Sequence, residues 1–203
     1  MKIGIVTIYN VPNYGAILQA YSLAEYLRRE GHEVVLFNVD SPKRHPYIYK
    51  LKRLFKLGFI DKFQQRNYPA ITSNLNEEVD IYMVGSDQVW NIEITQADYD
   101  KYFLAFALHN RKVSYAASFG NNEWDFPSKR NEIRGFLSAF KYITVREEMG
   151  VNILKDEFNM KGNCVLDPCF LLDGNDFLFG KIIESKKILV SYKLSYDRFY
   201  DLE

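Results

Sequence analysis

Lys2–Ile8 (KIGIVTI), followed a few residues later by Asn13-Tyr14-Gly15-Ala16, opens the chain as a strand, a tight turn and a helix. The strand is β-branched and almost continuously apolar, the pattern of a strand covered on both faces. Beyond the turn, Ile17, Leu18, Tyr21, Ala24 and Leu27 recur at helical spacing and form one buried stripe, with Gly31 as the stop signal. Asn13 is placed to cap this helix. Two readings of the turn stand side by side. The amides of Tyr14 to Ala16 and the positive end of the helix dipole suit a phosphate or carboxylate, with Gly15 permitting close approach. Alternatively the segment is an ordinary strand-to-helix turn in which Asn13 only caps.

Working outward, strands continue to alternate with helices. Glu33–Val39 (EVVLFNV), Asp80–Val84 (DIYMV), Lys112–Ala117 (KVSYAA) and Tyr142–Val145 (YITV) read as strands, and Ile48–Leu57, Pro127–Phe140 and Glu147–Phe158 as helices. The alternation predicts βαβ units and hence an α/β fold, a mostly parallel, doubly wound sheet with helices on both faces. Ser41–Asn76, punctuated by Pro42, Pro46 and Pro69, reads as an irregular insertion. Towards the end, Val165–Pro168 reads as a short strand running into a turn, Asn175–Gly180 as a connecting helix and Lys187–Tyr192 (KILVSY) as a fresh strand. The expected organisation is a domain over residues 1–183, with residues 184–203 beginning a second domain whose remainder lies outside the sequence.

Composition narrows the functional classes. The 203 residues, 47% of them hydrophobic, can bury a substantial core, and 26 basic residues balance 26 acidic ones. That balance gives no footprint for nucleic acid or an anionic membrane. Cys164 and Cys169 have neither a partner pair nor zinc spacing, so neither a metal site nor a disulfide framework is expected. No signal-type leader and no apolar run of about 18 residues appears, which makes the cytoplasm the expected compartment, with no integral membrane segment. The 15 tyrosines and 15 phenylalanines suit either stacking on sugars or a large aromatic core.

In open α/β sheets ligands bind beyond the carboxyl ends of the strands. The candidate substrate-binding residues are therefore Asn13, Tyr14 and Gly15 after the first strand, Ser86 and Asp87 in Gly85-Ser86-Asp87-Gln88, and Ser118 and Asn121 in the loop containing Gly120. Simple turn and capping chemistry is the competing reading for each loop. Arg146 is the sharpest candidate. It stands at a strand end and a helix start, where the dipole suits Glu147 and Glu148 and disfavours a cation, so it points to an anionic partner. Its planar fork matches carboxylate or phosphate. The competing reading is a salt bridge with Glu147, Glu148 or Asp167. His32, His45 and His109 do not follow strand ends and read as loop residues. No Ser-His-Asp order, phosphate-cradling Gly-rich loop or dinucleotide fingerprint is present.

Taken together, KIGIVTIYNVPNYGAILQAYSLAEYL, DIYMVGSDQVWN, YFLAFA with KVSYAASFG, ITVREEMGV and VLDPCFLL resemble the polysaccharide pyruvyl transferase family, over Lys2 to Leu172. The resemblance implies two Rossmann-like domains facing across a cleft in a GT-B-like arrangement, of which this chain is the N-terminal half. It implies transfer of the pyruvyl group of phosphoenolpyruvate to two hydroxyls of one sugar as a cyclic ketal, during surface glycan synthesis. Phosphoenolpyruvate is then the donor substrate and no cofactor is needed; the acceptor is a sugar or lipid-linked glycan, handled in the cytoplasm or at the inner face of the membrane. Arg146 in ITVRE matches the family's donor-holding, catalytic arginine. The family's histidine and further basic residues lie in its second domain, so an incomplete enzyme is expected. The alternatives are a non-catalytic remnant or binding module for a sugar or partner, and a GT-B glycosyltransferase using a sugar nucleotide.

Overall fold

A run of buried β-branched residues builds the centre of the molecule. The computed structural model describes residues 1–11, 13–40, 60–107 and 111–177. β1 (Lys2–Val6) is buried from Ile3 onward and lies between β2 (Glu33–Phe37) and β4 (Ile81–Val84), both parallel to it. Beyond β2 comes β3 (Ala70–Thr72); beyond β4 come β5 (Lys112–Ser114) and β6 (Phe140–Tyr142). The strand order is β3-β2-β1-β4-β5-β6, and every neighbouring pair is parallel. This is the doubly wound order, with its topological switch point between β1 and β4. A parallel sheet of this kind must be covered on both faces, which is why β1 and β2 carry apolar residues at consecutive positions.

α1 (Tyr14–Arg29) crosses between β1 and β2 and buries Ile17, Ala20, Tyr21, Ala24 and Leu27. A helix over residues 60–67, here α2, precedes β3. Two single-turn helices follow β4, α3 (Ile92–Thr95) and α4 (Tyr99–Tyr102). α5 (Arg130–Leu137) leads into β6; β7 (Thr144–Val145) leads into α6 (Glu148–Phe158), and β8 (Asn163–Cys164) pairs parallel with β7.

The aromatic residues are explained by packing. Trp90 is fully buried, stacks on Phe103 at 5.5 Å between ring centres, meets Phe119 at 5.1 Å and Phe140 at 5.9 Å, and donates its indole N–H to Tyr102 O at 3.2 Å. Phe119 also stacks on Phe158, which lies edge-on to Trp124. This cluster anchors the loops after β4 and β5 from below.

Several expected elements come out shorter or divided. The strand expected over Lys112–Ala117 ends at Ser114, because Ala116 turns left-handed (φ 54°). Side chains then take over from the backbone ladder: Ser114 Oγ donates to Thr144 O at 2.9 Å, and Thr144 Oγ1 donates to Ser114 O at 2.7 Å and accepts from Ala116 N at 3.1 Å. Tyr142–Val145, expected as one strand, is split between β6 and β7 at Ile143. The helix expected over Pro127–Phe140 is a 3-10 turn, Pro127–Lys129, followed by α5, and Phe140 already belongs to a strand. The short strand running into a turn, expected over Val165–Pro168, starts earlier, as β8 (Asn163–Cys164), and its turn is a 3-10 turn, Pro168–Leu171, seated against α1.

The chain divides into two compact units, Met1–Leu172 and Asp173–Glu203; the described part of the second is a 3-10 turn over Gly174–Phe177. The segments Ile48–Leu57 and Lys187–Tyr192, His45, His109 and the end of Asn175–Gly180 lie outside the described residues. Among the described residues no helix is long and apolar enough to cross a membrane.

Candidate functional site

All strands of the main sheet run the same way, so the loops after β1, β4 and β5 share one edge, and the pairing continues there beyond the named strands. Asp87 bridges Ala117 and Ala117 bridges Val145, both parallel, and Val145 pairs with Cys164. The bonds Ser118 N to Asp87 O (3.1 Å), Arg146 N to Ala117 O (3.0 Å) and Val165 N to Val145 O (2.9 Å) stitch these segments side by side. Arg146 therefore lies on the same edge as the start of α1.

Arg146 is held in a nest of carboxylates. Its Nε donates to Glu147 Oε1 at 2.7 Å, and its Nη1 reaches Asp167 Oδ2 and Ser86 Oγ, each at 3.5 Å. Ser86, completely buried, donates its hydroxyl to the same Asp167 Oδ2 at 2.8 Å, while Asp167 Oδ1 caps the turn after it by accepting from Cys169 N at 3.0 Å. Both Glu147 and Asp167 thus answer the salt-bridge reading of Arg146. Its Nη2 makes no hydrogen bond with the described residues, so part of the five-donor fork is unengaged. Burial works against the Arg146 charge, but the hydrogen bond and charge of Glu147, with Asp87 and Asp167, more than offset it.

Asp87 follows β4 at the switch point and holds a left-handed backbone, φ 80°, where a side chain is strained. Its Oδ1 accepts from Gln88 N at 2.8 Å. Burial pushes its carboxyl up; the Gln88 amide and the Arg146 charge pull it back, and Asp167 and Glu147 add to the rise. Behind it runs a chain of buried bonds: Gln19 Nε2 donates to Thr7 Oγ1 (2.9 Å), which donates to Ser86 O (2.7 Å). That chain ties α1 and β1 to the loop after β4.

The remaining candidates separate into two groups. Ser118 and Asn121, with Gln88, Gly120, Asn122 and the Arg146–Glu147 pair, line a cavity of about 140 Å³. Ser118 is fully buried and its Oγ accepts from Gly120 N at 3.0 Å, so it shapes the loop; Asn121 Nδ2 donates to Asp125 Oδ2 at 2.5 Å. The α1 start behaves differently. Asn13 Oδ1 accepts from Gly15 N at 2.8 Å and from Ala16 N at 3.4 Å, so the cap engages two of the three amides read as an anion seat. Tyr14 is 63% exposed, and a Cβ on Gly15 would touch only Asn13 Oδ1. No hydrogen bond among the described residues joins Asn13, Tyr14 or Gly15 to the Arg146 group.

Asp167 is the participant that sequence reasoning placed only as a counter-ion. Its signal was the Asp-Pro pair after an apolar run, an N-cap with proline at the first helical position. Cys169 beside it is inert: burial, with the hydrogen bond and charge of Asp167, pushes its thiol up to about 12. His32, between α1 and β2, lies at the opposite edge of the sheet.

Fold and edge together define an α/β protein of the doubly wound class, with an arginine and three carboxylates gathered beyond the strand ends. A model of the polysaccharide pyruvyl transferase family matches residues 13–203, nearly the whole chain. The chain belongs to that family, a family of transferases. No curated protein matches the sequence.

Proposed function

We propose that this protein takes part in moving the pyruvyl group of phosphoenolpyruvate onto two hydroxyls of a sugar or lipid-linked glycan as a cyclic ketal, in the assembly of a surface polysaccharide. The observation that carries the reading is Arg146: a guanidinium fixed by Glu147 and Asp167 on the ligand-binding edge, with donors unengaged, in a member of this family. A carboxylate or phosphate oxygen of the donor is the natural occupant of that fork.

The reaction adds a proton to the enol methylene of the donor while a sugar oxygen bonds to the adjacent carbon and loses its own proton. The second sugar oxygen then bonds to the same carbon as the C–O bond to phosphate breaks, and its proton departs with the leaving phosphate. No metal or organic cofactor enters this balance. The site must hold an anion, carry a proton and present two hydroxyls. Arg146 meets the first need, and Asp87, whose carboxyl burial pushes up, is suited to the second.

Calorimetric titration of the protein with phosphoenolpyruvate, alongside phosphate release with glycan acceptors present, tests the reading. Binding that is lost in Arg146→Ala, together with acceptor-dependent phosphate release, is expected. Binding of glycan without any phosphate release would favour the second reading, a sugar-binding module, which the pairing of Arg146 with two carboxylates supports.

A further inference from the structure

The cavity beside Arg146 differs in chemistry from the guanidinium itself. Its lining has one cation and one anion, Arg146 and Glu147, joined at 2.7 Å, so the wall carries no net charge apart from the unengaged donors of the Arg146 fork at its edge. The neutral polar side chains are the Ser118 hydroxyl and three carboxamides. Gln88 Oε1 accepts from Asn91 Nδ2 at 3.1 Å, which leaves the Gln88 Nε2 donors unengaged. Asn121, conversely, has its Nδ2 on Asp125 and its Oδ1 unengaged, and the exposed Asn122 makes no hydrogen bond with the described residues. Met149 and Phe119 supply apolar surface.

The wall is built around Gly120. With φ 75°, its backbone comes so close that a Cβ there would stand 2.5 Å from Gln88 Oε1 and 2.7 Å from Asn91 Nδ2. Glycine therefore admits the Gln88 carboxamide, held from behind by Asn91, to the cavity wall. Unengaged donors on Gln88, an unengaged acceptor on Asn121 and both on Asn122, next to an apolar patch, match a ring bearing neutral hydroxyls on one side and C–H bonds on the other.

We propose that this cavity seats the acceptor sugar as an uncharged pyranose ring, with Gln88, Asn121 and Asn122 bonding its hydroxyls and Met149 under its C–H face. The assignment of the ligand as acceptor rests on the transferase reading. It places the reacting hydroxyls next to the Arg146 fork, where the donor anion is held.

Saturation-transfer NMR of the 203-residue chain with neutral methyl hexopyranosides, with glucuronate and with inorganic phosphate tests it. Transfer to a neutral hexopyranoside is expected, with affinity falling about three- to tenfold in Gln88→Ala and in Asn122→Ala, as for the loss of a neutral hydrogen bond. Asn122 is exposed, so its variant stays folded, and a melting curve verifies both. Absence of transfer to every neutral hexopyranoside, unchanged affinity in both variants, or displacement of the sugar by inorganic phosphate would each overturn the proposal. The transferase reading fails separately, through phosphoenolpyruvate that releases no phosphate; sugar seated in the cavity of such a protein would leave this subsite standing.

Discussion

Ser86 and Asp167, 81 residues apart in the chain, meet through a 2.8 Å hydrogen bond from Oγ to Oδ2, and Arg146 Nη1 reaches both at 3.5 Å. This triangle joins the loop after β4, the start of α6 and the turn that packs on α1. Asp167 is its hub, because one carboxylate receives Ser86 and Arg146 on one oxygen and the Cys169 amide on the other.

Asp167→Ala removes a helix-type cap and strands a fully buried hydroxyl, for a combined cost of about 2 kcal/mol. In a chain of this size that is a fall of about 4–8 °C in Tm. Asp167→Asn keeps one acceptor and falls less. Thermal unfolding of the two variants checks the order; equal stability of Asp167→Ala and wild type would remove Asp167 from the hub.

Arg146→Lys keeps the charge and loses the fork. Losing one charge-assisted bond to the donor costs about 1.5–3 kcal/mol, or about one to two decades in kcat/KM for phosphoenolpyruvate. Steady-state kinetics at saturating acceptor measures it. An unchanged constant in a folded variant would leave Arg146 as a salt-bridging residue alone.

Asp87→Asn should stabilise the fold near neutrality. Burial raises the Asp87 carboxyl above its unfolded value, so the folded chain holds that proton more tightly. The resulting stability is complete below the unfolded value of about 3.9 and is lost as pH rises through the folded one. Above that window, keeping the buried carboxyl charged is a burden that asparagine lacks, and asparagine also tolerates a positive φ. Melting curves should place Asp87→Asn above wild type at pH 7, with the gain shrinking to nothing by about pH 3. A wild type more stable than the variant at pH 7 would mean that Arg146 outweighs burial.

Cys169 should resist alkylation. With its thiol pushed up from 9.0 to about 12, its thiolate population in the folded chain falls on the order of a thousandfold below that of an ordinary cysteine. Peptide-resolved mass spectrometry after iodoacetamide treatment should show Cys169 modified on the order of a thousandfold more slowly in the folded chain than in urea, and about tenfold faster for each added pH unit. Equal rates in both states would contradict the burial of this thiol under Asp167.

The fold was legible where local and global signals agreed. β1, α1 and β2 combine continuous apolar strands, a helical stripe and an asparagine cap, and each lies where the pattern places it. β3 was missed because Ala70-Ile71-Thr72 is a short, largely exposed edge strand with no apolar run. α3 and α4 were missed because a single helical turn shows no periodicity. The break at Ile143 was hidden because YITV reads as one strand by propensity, and the change of sheet depends on side-chain bonds from Ser114 and Thr144. In the site, Arg146 was visible as a cation at a helix start, Asp167 as one of its counter-ions and Asn121 as a residue beyond a strand end. The bond from Ser86 to Asp167 and the place of Gln88 and Asn122 in the wall were not, since they depend on contacts distant in sequence and on the close approach at Gly120.

The bridges from Asp87 through Ala117 and Val145 to Cys164 set the backbone of this edge at inter-strand spacing, about 4.8 Å per step. The edge is thus a comb with a fixed pitch, and the next residue along three of its teeth is Ser118, Arg146 or Val165. Replacing the side chain at Arg146 or Val165 changes which chemical group is displayed without changing how far apart the teeth stand, whereas the buried Ser118 holds its loop in place. A ligand recognised here must carry its own functional groups at matching intervals, and a change of substrate can be written one tooth at a time.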